Sequence, residues 1–166
     1  ETLNSDAQRR IDFNKRNVRR LEMRQPGVAS MKAIILKAPG TNRDYDVQSA
    51  IEQAGGQADI LPISRLRSDA RLLRNYGMLV IPGGFSYGDA LGAGRLFALD
   101  LSRFFAEEVG RFIESGKPVL GICNGFQVLV RAGILPGKQF EPHRFTLAHN
   151  ENGSFECRWV RLMAQA

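Results

Sequence analysis

The sequence predicts an α/β fold, an open, mostly parallel sheet flanked by helices. Three observations lead there. Short apolar runs alternate with segments of helical spacing, in the order strand, helix, strand, helix, strand, loop, helix, strand, cysteine, helix. The runs are continuous rather than alternating, as in strands buried on both faces of a parallel sheet. Glycine-rich loops follow strand ends, where sheets of this kind bind ligands.

Met31 starts the compact part, and Lys32-Ala33-Ile34-Ile35-Leu36-Lys37 reads as the first strand. Ala38-Pro39-Gly40-Thr41-Asn42 is a loop. Asp44 or Asp46 is placed to cap a helix that runs to about Ala54, with Val47, Ala50, Ile51 and Ala54 at helical spacing. Gly55-Gly56 stops it. Ala58 to Ile63 is the second strand, with Pro62 near its end. A short helix over 67–75 carries Leu72 and Leu73, and Met78-Leu79-Val80-Ile81 is the third strand. Ala90 to Leu101 is mixed and helical in part. Ser102 is expected to cap a helix from Arg103 to Ser115, with Phe104, Phe105, Val109, Phe112 and Ile113 on one side. Gly116-Lys117-Pro118 ends it. Phe155 to Leu162 alternates like a half-exposed strand, with Cys157 on the same face as Phe155 and Trp159 and expected to be structural.

Two segments carry chemistry. Pro118 to Gln127 is an apolar run that turns through Gly121-Ile122-Cys123-Asn124-Gly125 into a helical pattern. Strand, sharp turn and helix are the context of a nucleophile elbow. At a helix N-terminus, partial positive charge and free N–H groups favour a thiolate. Side chains at 121 and 125 would crowd so tight a bend. The alternative is that Cys123 is a small buried hydrophobe at a strand end. The second segment is Pro82-Gly83-Gly84-Phe85-Ser86-Tyr87-Gly88-Asp89, a loop whose backbone N–H groups can face an anion. It fits neither G-x-x-x-x-G-K-[ST] nor G-x-G-x-x-G, which argues against a nucleotide-phosphate loop. Both segments leave carboxyl ends of strands, so they can meet across one crevice.

With 166 residues the chain has room for one domain with a substantial core, and its 43% hydrophobic content is ordinary. The formal charge of +6 is spread over a polar 1–30 tail or linker, with seven basic and four acidic residues, and a mildly basic 31–166 domain. The mildly basic domain argues against nucleic acid, and the alternative reading of the Arg-rich 1–30 segment is an RNA- or partner-binding arm. Two cysteines make no disulfide framework, and no ligand spacing suggests a metal. No apolar run spans a membrane. A reduced, cytoplasmic setting is the expectation.

The two motifs, G-G-F-S-Y-G-D at 83–89 and G-x-C-N-G-x-Q at 121–127, closely resemble the class I glutamine amidotransferases. Within them the chain is most similar to the glutaminase subunits of phosphoribosylformylglycinamidine synthases. Most other members carry a different residue, often His or Glu, where Asn124 stands. Lys37 to Asp44 resembles the family's first loop, P-G-[ST]-N-x-[DE], and Asn150 to Trp159 resembles its segment after the elbow.

The resemblance covers about 31–163 and implies a flavodoxin-like amidotransferase fold. It implies that Cys123 forms a glutamyl thioester. Backbone N–H groups of Gly83, Gly84 and Asn124 would form the oxyanion hole, each such donor being worth about 3–4 kcal/mol. Gln127 would lie near the bound glutamine, or be a polar packing residue. The ammonia would pass to a synthetase partner that uses ATP and magnesium to convert formylglycinamide ribonucleotide to formylglycinamidine ribonucleotide. This chain itself would hold no cofactor.

Thiol attack needs a base. The family takes it from a His followed two residues later by Glu, after further strands, and the sequence is expected to end before that segment. His149-Asn150-Glu151 spells the pattern only 26 residues after Cys123, in a stretch matching a different part of the family, so His149 and His143 are read as loop histidines. An alternative follows, a binding module or fragment with the elbow but no turnover.

Overall fold

The computed structural model describes residues 31–136, 145–161 and 163. The 1–30 tail and His143 therefore lie outside the described residues. The elements are β1 (Lys32–Lys37), α1 (Asp44–Gln53), β2 (Gln57–Pro62), α2 (Ile63–Ser68), a 3₁₀ turn (Ala70–Asn75), β3 (Met78–Ile81), a second 3₁₀ turn (Ser86–Asp89), α3 (Arg95–Phe104), α4 (Ala106–Glu114), β4 (Val119–Gly121) and α5 (Asn124–Arg131). The four strands form one sheet, ordered β2-β1-β3-β4, and every pair is parallel. The α/β reading from sequence is borne out.

Strand periodicity divides the core into two layers. Ile34 and Leu36 of β1, with Leu79 and Ile81 of β3, face a layer built from Leu66, Leu73, Phe97, Leu101, Val109, Phe112, Val128 and Leu129. Ala33, Ile35 and Val80 face the other way, against Ala58 and Val47 of α1. Because both faces are covered over β1 and β3, no polar residue stands between the terminal lysines of β1 or within β3, which explains their continuous apolar runs. Cover is thinner at β4, where Leu120 is 42% and Ile122 39% exposed.

Several boundaries differ from the sequence expectation. Neither Asp44 nor Asp46 caps α1, whose N-cap is Arg43 with no side-chain cap. The Asp44 carboxylate is instead buried against the Lys37 ammonium at 2.6 Å, and Asp46 pairs with Arg43 at 3.0 Å. Burial beside a lysine outcompetes the cap, while both carboxylates still lie in the first turn, where the helix dipole favours them. Ile63 opens α2 rather than closing β2. The helix expected over 67–75 is split at Asp69, whose extended backbone ends α2 and whose carboxylate accepts from the Arg71 N–H at 3.1 Å to cap the 3₁₀ turn.

Ser102 does not start a helix. It lies inside α3, where its hydroxyl donates to the Leu99 carbonyl at 3.2 Å. The break falls at Phe105 (φ −128, ψ 6), which ends α3 and begins α4. The fully buried Phe97 and Leu101 extend the apolar stripe upstream, and α3 starts at Arg95, about two turns earlier than expected.

The strand expected over 155–162 does not form, and its described residues are coil. Phe155 is 91% and Trp159 97% exposed, and Cys157 is exposed too. Alternation becomes a strand only beside an edge that completes its ladder, and no described strand pairs with this segment.

Candidate active site

The site forms where β3 and β4 end. The Ile122 N–H donates to the Ile81 carbonyl at 3.1 Å, so the chain keeps β3's company one residue past β4 and then turns. Cys123 holds φ 51 and ψ −111, a conformation that non-glycine residues seldom adopt. The turn is locked behind it, with the Gly125 N–H on the Ile122 carbonyl at 2.8 Å and the Gln127 N–H on the Cys123 carbonyl at 3.2 Å. A Cβ at position 121 would sit 2.7 Å from the Gly125 carbonyl oxygen, so the bend closes only over glycine. The result is an exposed free thiol immediately ahead of α5. The N–H groups of the first turn of a helix have no acceptor within it. The bland alternative of a buried Cys123 is thereby corrected: the strained turn pushes the side chain out of the core.

The glycine loop comes to meet it. A Cβ on Gly83 would lie 3.4 Å from the Cys123 Cβ and 3.9 Å from Cγ of Arg43. Gly84 has φ 110 and bridges to Thr41, and a Cβ there would stand 2.4 Å from Oδ1 of Asn42. The loops after β1 and β3 thus close on one another through a residue that must be glycine.

Beyond Gly84, the Ser86–Asp89 turn reaches across to the elbow. The Ser86 hydroxyl donates to Oδ1 of Asn124 at 2.9 Å, and Nδ2 of Asn124 donates to Oδ1 of Asp89, also at 2.9 Å. The same Asp89 oxygen accepts from the Gly94 N–H at 3.4 Å, ahead of α3. Asn124 is 4% exposed and Ser86 5%. A second tether runs from the Tyr87 hydroxyl to Asp100, which also takes the Arg67 guanidinium. Burial first, then this hydrogen bond, pushes the Tyr87 phenol up to about 12.

Gly83, Gly84, Cys123, Asn124 and Gln127 all line one cleft of about 1310 Å³. The sequence expectation that the two loops share a crevice is met. Asn42, Arg43, Asp46 and Asp89 add polar groups to the wall, and the cleft continues over the apolar sheet face at Ala33, Met78, Leu120 and Ile122. His149 is exposed and Glu151 lies in the same exposed coil; neither lines this cleft. Among the described residues no group of His, Cys, Asp and Glu could hold a metal ion. Sequence reasoning missed the role of Ser86 and of the Asn124 side chain. Thirty-eight residues separate them, and no periodicity links positions on two different loops.

A CobB/CobQ-like glutamine amidotransferase domain matches residues 30–166. The chain belongs to that family. The resemblance drawn from G-G-F-S-Y-G-D and G-x-C-N-G-x-Q is borne out. Phosphoribosylformylglycinamidine synthase subunit PurQ of Treponema denticola is 50% identical over 145 residues, covering 81% of this chain and 54% of the relative. The subunit of the same name from Dehalococcoides mccartyi is 43% identical, covering 81% of this chain and 53% of the relative. A solved structure of PurLQS from Thermotoga maritima superposes with a TM-score of 0.61 at 34% identity, covering 80% of this chain and 54% of that one. The chain thus spans about half the length of the relatives it matches. The elbow, the glycine loop and the cleft between them all fall within residues 30–166, the part that the family model matches.

Proposed function

We propose that this chain is the thiol-bearing half of a glutaminase that supplies ammonia to a synthetase. One observation carries the reading: the exposed Cys123 thiol stands at the N-terminus of α5, and Gly83 and Gly84 line the same cleft. In the proposed reaction the Cys123 sulfur attacks the side-chain carboxamide carbon of glutamine. The carbonyl electrons move to oxygen, and the N–H groups of Gly83, Gly84 and Asn124 receive the developing charge. The C–N bond then breaks, ammonia leaves with the proton that the thiol gave up, and water hydrolyses the thioester to glutamate and the free thiol. Gln127, on the cleft wall one turn past Cys123, orients the glutamine.

The names of the relatives support the partner. A synthetase subunit would take the ammonia and, with ATP and magnesium of its own, convert formylglycinamide ribonucleotide to formylglycinamidine ribonucleotide in purine biosynthesis. This chain needs no cofactor for the thiol step. No described helix is long and apolar enough to cross a membrane. We place the protein in the cytoplasm, where the thiol stays reduced.

A second reading is favoured by one feature of the cleft. No histidine is among its described lining residues, so the His that the resemblance implies as base is not among them. A module that binds glutamine or the synthetase without turnover would have this lining. Ammonia release from glutamine, measured for the chain alone and with the synthetase beside a Cys123→Ala control, separates the two. Release that depends on Cys123 is expected. A folded chain that releases none under either condition leaves the binding module.

A further inference from the structure

We propose that Asp89 is a positioning residue for the chemistry of Cys123, acting through the carboxamide of Asn124. This rests on the glutaminase reading above. Asn124 presents two different ends to the glycine loop, an accepting oxygen to Ser86 and a donating nitrogen to Asp89. A serine hydroxyl can donate or accept and would tolerate either orientation of the amide. A carboxylate only accepts. Turning the amide over would set its oxygen against Asp89, so Asp89 decides which way Asn124 points.

The bridge closes a ring. It runs from Cys123 to Asn124, across to Asp89 and Ser86, back along the loop to Gly84 and Gly83, and returns to Cys123 across the cleft wall they share. Opening it at Asp89 frees the loop to drift from the elbow, and with it the backbone groups that flank the thiol. Strain marks the same place. Tyr87 and Asp89 hold φ values of 56 and 51, and Cys123 holds 51, so the three described non-glycine residues with positive φ all stand on this ring. Such conformations persist only where surrounding contacts enforce them. The Gly94 N–H on the same Asp89 oxygen ties the ring to the start of α3.

The test uses the whole chain and two thiol reagents, with modification of Cys123 followed by peptide mass spectrometry. Iodoacetamide reports the bare thiol. The diazoketone analogue of glutamine reports a thiol that acts on a held substrate carbonyl. Asp89→Ala is expected to slow the diazoketone reaction at least about tenfold, the effect of a small misplacement, and to leave the iodoacetamide rate unchanged. Asp89→Asn keeps the tether but can donate as well as accept, so it no longer fixes the direction of the Asn124 amide and is expected to recover only part of the rate. If Asp89→Ala does not fold, Asp89→Ser, too short to span to Asn124, takes its place. A purely structural staple would change the unfolding midpoint without changing the ratio of the two rates. That result, with wild-type protein labelled by both reagents, overturns the positioning role alone. Wild-type protein alkylated by iodoacetamide but untouched by the diazoketone overturns the glutaminase reading, and the positioning role with it.

Discussion

A Cβ on Gly125 would lie 1.9 Å from the carbonyl oxygen of Ile81. The two residues belong to different elements, α5 and the end of β3, and their contact sets how closely the elbow helix approaches the sheet. Fully buried Ile81 sits in the same layer as Val128 and Leu129, so the helix cannot slide without opening the core.

Gly125→Ala tests that approach, because two effects oppose each other. In an ordinary helix, alanine would be more stable than glycine by about 1 kcal/mol. Here the added methyl meets backbone, which cannot rotate away, and overpacking of this kind costs roughly 3 kcal/mol or more. The clash wins, and urea denaturation is expected to show a net loss of about 2 kcal/mol. A variant as stable as the wild type would mean that α5 stands further from β3.

Lys37→Met tests the ion pair that replaces the expected helix cap. The Asp44 carboxylate is almost wholly buried, and the Lys37 ammonium hydrogen-bonds it at 2.6 Å. That hydrogen bond holds the Lys37 pKa above its ordinary value. Removing the lysine leaves a buried charge without its partner, which is more damaging than removing both charges. Lys37→Met is expected to lower the denaturation midpoint, and Lys37→Met with Asp44→Asn to recover most of the loss. A double variant less stable than the single one would show that Asp44 does not need a cation.

One buried and one half-buried phenol bear on the alkaline limit. Tyr76 donates to Asp59 at 2.7 Å, and Tyr87 donates to Asp100. Burial, then the carboxylate, pushes each from 10.0 up to about 12. A raised folded-state value means stability fully present below the unfolded phenol's pKa and lost as pH rises through the folded one. Unfolding free energy is therefore expected to fall between about pH 10 and 12. Tyr76→Phe with Tyr87→Phe should flatten that fall. Ultraviolet titration of the folded chain gives an independent check, with both phenols ionising late. A double variant that loses stability as steeply as the wild type would assign the transition to other groups.

Much of this was legible in the chain itself. The apolar runs at 32–37 and 78–81 declare strands buried on both sides, and the alternation with helices selects a parallel sheet. Gly121, Cys123 and Gly125 declare a sharp turn because the bend leaves no room for side chains on either side of the thiol. Asp44 and Ser102 were misread because capping is a weak local preference, of about 1 kcal/mol, and burial of Asp44 beside Lys37 and of Phe97 and Leu101 in the core outweighs it. The 155–162 alternation misled for a related reason, since a strand needs a neighbour and the pattern carries no information about whether one is present.

The sequence by itself determined the fold class and the sharp turn at Cys123, because each depends on local periodicity or on a short run of residues, and two short motifs carried the resemblance to the family. Only the tertiary structure decided what surrounds that thiol. Ser86, Asp89 and Asn124 come from two loops more than thirty residues apart, and their hydrogen bonds exist because two parallel strands end side by side. Contacts between distant loops follow from how the sheet is ordered, and one-dimensional patterns do not encode them.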